Sequence, residues 1–390
     1  MSFGLFNRNH FYRPLIELYF DTGMAWFGYA PRAFHALNIA LHIVNASLAF
    51  FIARRVLRTI SASFAAALFF AVLPAILDTI AWVSAITALL MTTFYLMAML
   101  AHLTWLETDS RTARALSFLA FVAALLTHEG SVTLLPMMIL ADYLRPGLPR
   151  PSRQGKDTGA RAVDLLWRYG AFAAALGCYL AIAFLINRGN YVVIEGHYRI
   201  GIHGVGNVLD YVSALYVGRR GAIGMATTVA LLLLVVRLGT RPVWFGVAWL
   251  LLALVPYSFF TWSGSGRYAY LSAVGFSLML AGVMQLLVRA LQPRIGKTAA
   301  AVVTGVLVAA VAGRFAVFAA RGSSGALEPG ETYREWLQFF RQSHGTVPRG
   351  GIVTIEQPTN PGLNVPALTA MLQLEYDDPT LQIATGPQSP

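Results

Sequence analysis

His35, Asn38, His42 and Asn45 fall at i, i+3, i+7 and i+10 in a run otherwise built from Ala, Leu, Ile, Val and Phe (HALNIALHIVNASLAFF). At 3.6 residues per turn the four share one face of a helix. Imidazoles and amides are costly against lipid, so on a membrane helix this face must turn toward protein or a wet cavity. It could wall a polar site, or bond across packed helices as interhelical glue. Four other places carry charge beside apolar sequence. Arg267 lies in GSGRYAYL at one end of an apolar run, where a guanidinium either finds an anionic partner or sits among interfacial aromatics. Glu129 lies in the tight turn THEGS beside His128, where it can bond a polar ligand or favour the start of the next helix. Asp78 precedes Ala81 and Trp82, a position that suits a helix cap. Arg13, Glu17 and Asp21 surround YRPL, where Pro14 can open a short helix. Ile16, Leu18, Tyr19 and Phe20 would give that helix an interfacial apolar face.

These residues must be positioned by membrane helices. Of 390 residues, 57% are hydrophobic and only 12% charged, against roughly a quarter charged in a soluble domain. The fold class is therefore an all-α polytopic membrane protein. Hydropathy gives about ten spans: residues 34–53, 61–77, 84–105, 112–127, 130–144, 168–187, 221–237, 242–259, 268–289 and 297–319. The net charge of +11 does not indicate nucleic acid, because the basic residues, nearly all Arg, are spread between spans. The bilayer and its anionic headgroups account for them better. The one cysteine, Cys178, excludes an intrachain disulfide. No cleavable signal peptide is visible in residues 1–20.

If ten spans alternate, the Arg-bearing loops after residues 53, 105, 144, 237 and 289 share one side, which the positive-inside rule makes cytoplasmic. Residues 1–33 then form a first outer loop with an amphipathic helix, and 34–320 the transmembrane domain. That domain has a cytoplasmic linker at 145–167 and an outer loop at 188–220. Residues 321–390 form a small non-cytoplasmic α/β tail, with helices near 331–340 and 365–376 and strands near 351–356 and 381–384. The 188–220 loop concentrates Arg188, Glu195, His197, Tyr198, Arg199, His203, Asp210, Arg219 and Arg220. It reads as a headgroup or acceptor site, or as a solvated loop.

Five stretches in order carry a resemblance: FYRPLIELYF, FHALNIALHIVNASL, AVLPAILDTIAWVSAITALL, LLTHEGSVTLLPMMILADYL and GRYAYLSAVGFSLML. Over most of residues 11–290 the chain resembles the membrane part of the transmembrane O-mannosyltransferases that carry tetratricopeptide repeats, and their bacterial relatives. These look like members of the C-type glycosyltransferase fold (GT-C). The repeat array itself is absent, and the short tail stands in its place.

The resemblance implies an enzyme of the cytoplasmic (inner) membrane. It would move a sugar such as mannose from a polyprenyl phosphate to a protein or glycan acceptor at the non-cytoplasmic face, with inversion. Such chemistry needs a carboxylate base near the acceptor hydroxyl and cations on the lipid phosphate. By this resemblance Arg267 and Arg13 would hold phosphate, with Tyr268 and Tyr270 lining the donor site. His35, Asn38, His42, Asp78 and Glu129 would line the cavity. No cofactor is indicated and no metal ligand assigned, though a divalent cation is compatible. Where the family has a His-x-x-His-x-Glu stretch, this chain has Leu73, Ile76 and Asp78, and Ile86 and Ala88 replace a common Arg and Asp. The family's base is an acid just after a first transmembrane helix, but residues 1–10 hold no acid. Either that acid lies upstream in a longer natural chain, or the protein is a degenerate copy; Asp21 and Glu129 are the substitutes within this sequence. A multi-pass transporter or lipid flippase, or a non-catalytic lipid-binding protein, fits the same spans.

Overall fold

The computed structural model describes residues 11–28, 30–144, 158–187, 190–217, 221–261, 266–344, 347–356, 363, 365–378 and 380–386. The helices, in order, are α1 (Pro14–Phe27), α2 (Pro31–Leu57), α3 (Ile60–Val72), α4 (Leu77–Ala81), α5 (Ile86–Thr108), α6 (Arg111–Thr127), α7 (Leu134–Leu144), α8 (Thr158–Asn187), α9 (Tyr191–Ile194), α10 (His203–Val217), α11 (Ala222–Leu238), α12 (Arg241–Ser258), α13 (Tyr270–Ile295), α14 (Lys297–His344) and α15 (Val365–Glu375). Two strands, β1 (Ile352–Glu356) and β2 (Gln382–Gly386), complete the fold. Two compact units divide between Ala319 and Ala320.

The first unit is an all-α bundle whose outside is apolar. On α2, Asn38, His42 and Asn45 are buried, while Ile39 and Ile43 on the opposite face are 52% and 60% exposed. Polar-in, apolar-out is the arrangement that lipid selects. Six helical stretches are long and apolar enough to cross a membrane: Pro31–Leu57, Val83–Thr108, Leu165–Ile186, Arg241–Ser258, Gly266–Ile295 and Lys297–Arg321. A seventh appears if the bent pair Ile60–Val72 and Pro74–Ala81, which turns by 49°, counts as one. The expected ten spans are thus corrected to six or seven among the described residues. The stretches at 112–127, 130–144 and 221–237 are helical, but α6 and α11 have 17 residues each and α7 has 11. At 1.5 Å per residue these reach about 25 Å and about 16 Å, short of a hydrocarbon core of about 30 Å. The assignment of sides by ten alternating spans loses its basis with the count.

The bend between α3 and α5 has a local cause. Leu73 precedes Pro74 and is driven to extended backbone (φ −69°, ψ 120°), which ends α3. A 3-10 turn (Pro74–Ile76), α4 and a second 3-10 turn (Val83–Ala85) follow before α5 resumes. Interrupted helices leave carbonyls without helical partners, a large cost away from water. The polar face of α2 supplies the donors. Asn38 Nδ2 donates to Ile80 O and Trp82 O at 3.2 and 3.1 Å. Trp82 O also accepts from Ala85 N. His42 Nε2 lies 3.2 Å from Ala71 O, and Asn45 Nδ2 donates to Leu89 O at 3.0 Å. With its Nε2–H on that carbonyl, His42 leaves Nδ1 to accept from Tyr270 Oη at 2.8 Å. Asn45 also donates to Tyr270 Oη, at 3.3 Å. Three of the four stripe residues therefore staple α2 to the broken segment and to α13. His35 lies outside the buried face and is exposed.

Elsewhere the bundle closes through small residues. A Cβ on Gly275 of α13 would sit 2.4 Å from Leu250 N, and one on Gly246 of α12 would sit 2.6 Å from Met279 N. The two backbones meet at these glycines, as close-packed membrane helices do, and Trp249 Nε1 donates to Leu271 O at 3.2 Å across the same interface.

In the second unit β1 and β2 pair in parallel, from Ile352 opposite Gln382 to Glu356 opposite Gly386. Parallel neighbours need a crossover, which the segment holding α15 supplies. Phe340, Val353, Ile355, Leu368, Leu372 and Leu381 form its core.

Gly275→Val forces α12 and α13 apart and should cost about 1–3 kcal/mol. Denaturant titration of the detergent-solubilised protein checks this; an unchanged midpoint contradicts the glycine-mediated contact.

Candidate functional site

At the N-terminus of α1 Pro14 takes the first helical position, which leaves Arg13 as the capping residue, with no side-chain cap bond. Its guanidinium turns instead toward the α6–α7 connection, where Glu129 opens a 3-10 turn (Glu129–Thr133). Arg13 Nε donates to Glu129 Oε2 at 2.9 Å and Nη2 to Oε1 at 2.5 Å. This is the bidentate fork that only arginine makes with a carboxylate. The two side chains keep 19% and 31% of their surface open, so the pair stands at an accessible edge. Arg13 also lies 4.3 Å above the Phe11 ring.

Burial alone would raise the Glu129 carboxyl. The positive charge of Arg13, with lesser help from His128 and from the Arg13 hydrogen bonds, outweighs it and holds the group at about 2. Burial also penalises the Arg13 guanidinium, but Glu129 more than offsets this and raises it. His128 is pushed down to about 3, first by burial and then by the charge of Arg13, with Arg267 adding a smaller effect. It is thus a neutral imidazole. Its Nδ1 accepts from Gly130 N at 2.9 Å, so Nε2 carries the proton, 3.7 Å from Glu129 Oε1, too far for a strong hydrogen bond.

An aromatic stack continues from His128 to Arg267. Tyr257 Oη is 3.5 Å from His128 Nδ1. The Tyr257 ring stacks on Tyr268 at 4.9 Å, and Tyr268 on Phe260 at 5.3 Å. Arg267 donates to Tyr268 Oη at 3.0 Å and lies 4.7 Å above the half-exposed Trp82 ring. Among the described residues no carboxylate is within ion-pair distance of Arg267. The turn carrying it presses on the broken segment, since a Cβ on Gly266 would sit 2.2 Å from Ala75 O. The same position would lie 3.7 Å from Asp78 Oδ2, which places the exposed Asp78 carboxylate beside this turn.

The structure thus brings Arg13, Glu129, Arg267, Tyr268 and Asp78 to one region. It places the remaining sequence candidates elsewhere. Tyr270 is fully buried, with its hydroxyl between His42 and Asn45. Asp21 is exposed on α1, about 12 Å along the helix from Arg13. The expected loop at 188–220 is mostly α9 and α10. Arg199 N donates to Phe259 O and Thr261 N to His197 O, so this segment is laced to the end of α12. Arg188, Arg219 and Arg220, and residues 145–157 of the expected 145–167 linker, lie outside the described residues; the rest of that linker, 158–167, is corrected to the start of α8. Tyr257 was not singled out by sequence; its signal is Pro256-Tyr257-Ser258 at the end of a span. Among the described residues no group of three or more His, Cys, Asp or Glu side chains could hold a metal ion.

The folded-state carboxyl of Glu129 lies below its ordinary value, so its stabilisation is present above the ordinary carboxylate range and lost as pH falls through about 2. Between about pH 5 and about pH 9 this pair should add no slope to stability. Glu129→Gln should cost about 1.5–3 kcal/mol by leaving the part-buried Arg13 without a charged partner. Unfolding midpoints of both proteins across that range check this, and a wild-type midpoint falling steeply near pH 5 contradicts the assigned pairing.

No family model matches the chain, and no solved structure matches it. Over 135 residues, 35% of its length, it is 31% identical to Protein O-mannosyl-transferase Tmtc1 of Drosophila melanogaster. The matched part spans 16% of the fly protein. This multi-pass membrane chain is therefore distantly similar, over about a third of its length, to a protein O-mannosyl-transferase, in agreement with the resemblance carried by its motifs.

Proposed function

We propose that the chain is a membrane glycosyltransferase that moves a sugar from a polyprenyl phosphate to a protein or glycan acceptor at the non-cytoplasmic face, with mannose the first sugar to test. The observation that carries this reading is Arg267: a guanidinium held by aromatic rings, with no carboxylate partner among the described residues, beside an exposed carboxylate. It suits a phosphate arriving from the lipid, and the half-exposed Trp82 offers an apolar face to the prenyl chain. The similarity to Tmtc1 supports the same class.

The chemistry is a displacement. The acceptor hydroxyl oxygen bonds to the anomeric carbon on the face opposite the phosphate. The bond from that carbon to the phosphate oxygen breaks, and polyprenyl phosphate leaves with its charge on Arg267. The hydroxyl proton goes to a carboxylate. Glu129 is a poor acceptor for it, because its fork to Arg13 keeps it ionised down to about 2. Its part is to fix Arg13 and to present oxygen lone pairs to hydroxyls. Asp78, exposed beside Arg267, is the better-placed base.

Arg267→Ala should lower transfer about 100-fold or more without loss of membrane insertion, and Asp78→Asn should lower transfer while donor binding persists. Both are read with a radiolabelled polyprenyl-phosphate sugar, as bound lipid and as product. Unchanged transfer in Arg267→Ala contradicts its role. Donor binding without transfer by the unaltered protein would favour a non-catalytic lipid-binding protein.

A further inference from the structure

At the opposite end of α6 from Glu129, the last turn of α5, the first turn of α6 and the N-terminal half of α8 border a recess of about 530 Å³. It is lined by Trp105, Asp109, Arg111, Arg114, Trp167 and Arg168. The volume lies within the range of small-ligand sites, about 300–1,000 Å³. The charges around it do not balance locally. Glu107 is taken by Arg55 and Arg58, and Asp142 by Arg168 at 3.0 Å. Arg111 and Arg114 have no carboxylate within ion-pair distance among the described residues. Both sit in the first turn of α6, which holds no acid and whose free N–H groups already make that end positive. Ser110 caps this end by accepting from Ala113 N at 3.3 Å. The Arg114 guanidinium is fixed between the Trp105 and Trp167 rings, 5.3 and 5.2 Å from their centroids, and donates to Trp167 O. Leu165, Leu166 and Trp167 beside the recess are 50%, 70% and 72% exposed, an apolar surface continuous with the membrane-facing side of α8.

We propose that this recess is a binding site for the phosphate headgroup of an anionic glycerophospholipid, held by Arg111 and Arg114 while its acyl chains lie along Leu165 and Leu166. Arg111 and Arg114 outnumber the one lining carboxylate outside an ion pair, Asp109; with the helix N-terminus this excess of positive charge stabilises a phosphate, and basic pockets between membrane helices recognise anionic headgroups. The apolar shelf selects a lipid over a soluble phosphate. The site is independent of the proposed transferase reading, because the length of α6, about 25 Å, separates it from Glu129.

The test is native mass spectrometry of the full chain released from nanodiscs holding equal phosphatidylglycerol and phosphatidylcholine, with an Arg111→Gln, Arg114→Gln double variant beside it. Phosphatidylglycerol adducts should dominate on the unaltered protein. They should fall about fivefold for each arginine removed and about 25-fold for both. Because Arg114 also packs between tryptophans, Arg111→Gln alone, at an exposed side chain, serves as the variant that keeps the recess intact. Equal retention of the two lipids overturns the proposal, as does undiminished retention in Arg111→Gln. Displacement of the lipid by millimolar inorganic phosphate overturns it too, since the site would then read phosphate alone.

Discussion

Backbone carbonyls inside a membrane protein need donors, and the segment between α3 and α5 breaks its helix against the buried polar face of α2. Everything at the candidate site depends on how that debt is met. Asn38 reaches Ile80 O and Trp82 O, His42 reaches Ala71 O, and Asn45 reaches Leu89 O. Tyr270 then ties His42 and Asn45 to α13. Apolar side chains of the same size would fill the space but remove these donors, at about 1 kcal/mol for each lost hydrogen bond; Trp82 O would keep Ala85 N, and Leu89 O would keep Thr93 Oγ1. The staples fix Trp82 and Asp78 on one side and the Gly266–Ala269 turn on the other, so Arg267 finds an aromatic floor already in place.

The second constraint is electrostatic. Arg13 stands at the positive end of α1, where a cation is disfavoured. Glu129, at the start of its own short helical turn, sits where an anion is favoured. Their fork joins residues 116 apart in the chain and neutralises Arg13. The result is a division of labour between two arginines: one is committed to the fold, and the other faces outward with its charge uncompensated. His128, kept neutral between them, adds no further positive charge.

The polar stripe on α2 was legible because helical spacing and an apolar background make it stand out, yet spacing could not separate glue from site wall. Partner carbonyls decide that, and they come from a segment whose irregularity only Pro74 announces. The same limit applies to Tyr270, one residue-pair from Tyr268 in sequence but turned inward by helix α13. Hydropathy overcounted the spans because α6, α7 and α11 are apolar enough but too short, a difference set by Asp109, His128 and the turn after Leu238 rather than by composition. Arg13 and Glu129 were each visible as unusual charges. Their pairing was not, because no sequence rule links a helix cap to a turn more than a hundred residues away. In the tail, alternating apolar residues and turn signals marked both strands and α15, but the helix expected near 331–340 is the end of the continuous α14 (Lys297–His344), because no helix breaker strong enough to stop it separates the span from the tail.

Hydrogen–deuterium exchange across residues 74–85 in Asn38→Leu, compared with the unaltered protein in the same nanodiscs, tests the central claim most directly. If the α2 amide holds this segment, its backbone N–H groups should exchange at least tenfold faster in the variant, while those in the α5–α6 pair stay unchanged. Equal exchange across 74–85 would mean that the broken segment is held by something other than the polar face of α2, and the account of how Arg267 is positioned would fail with it.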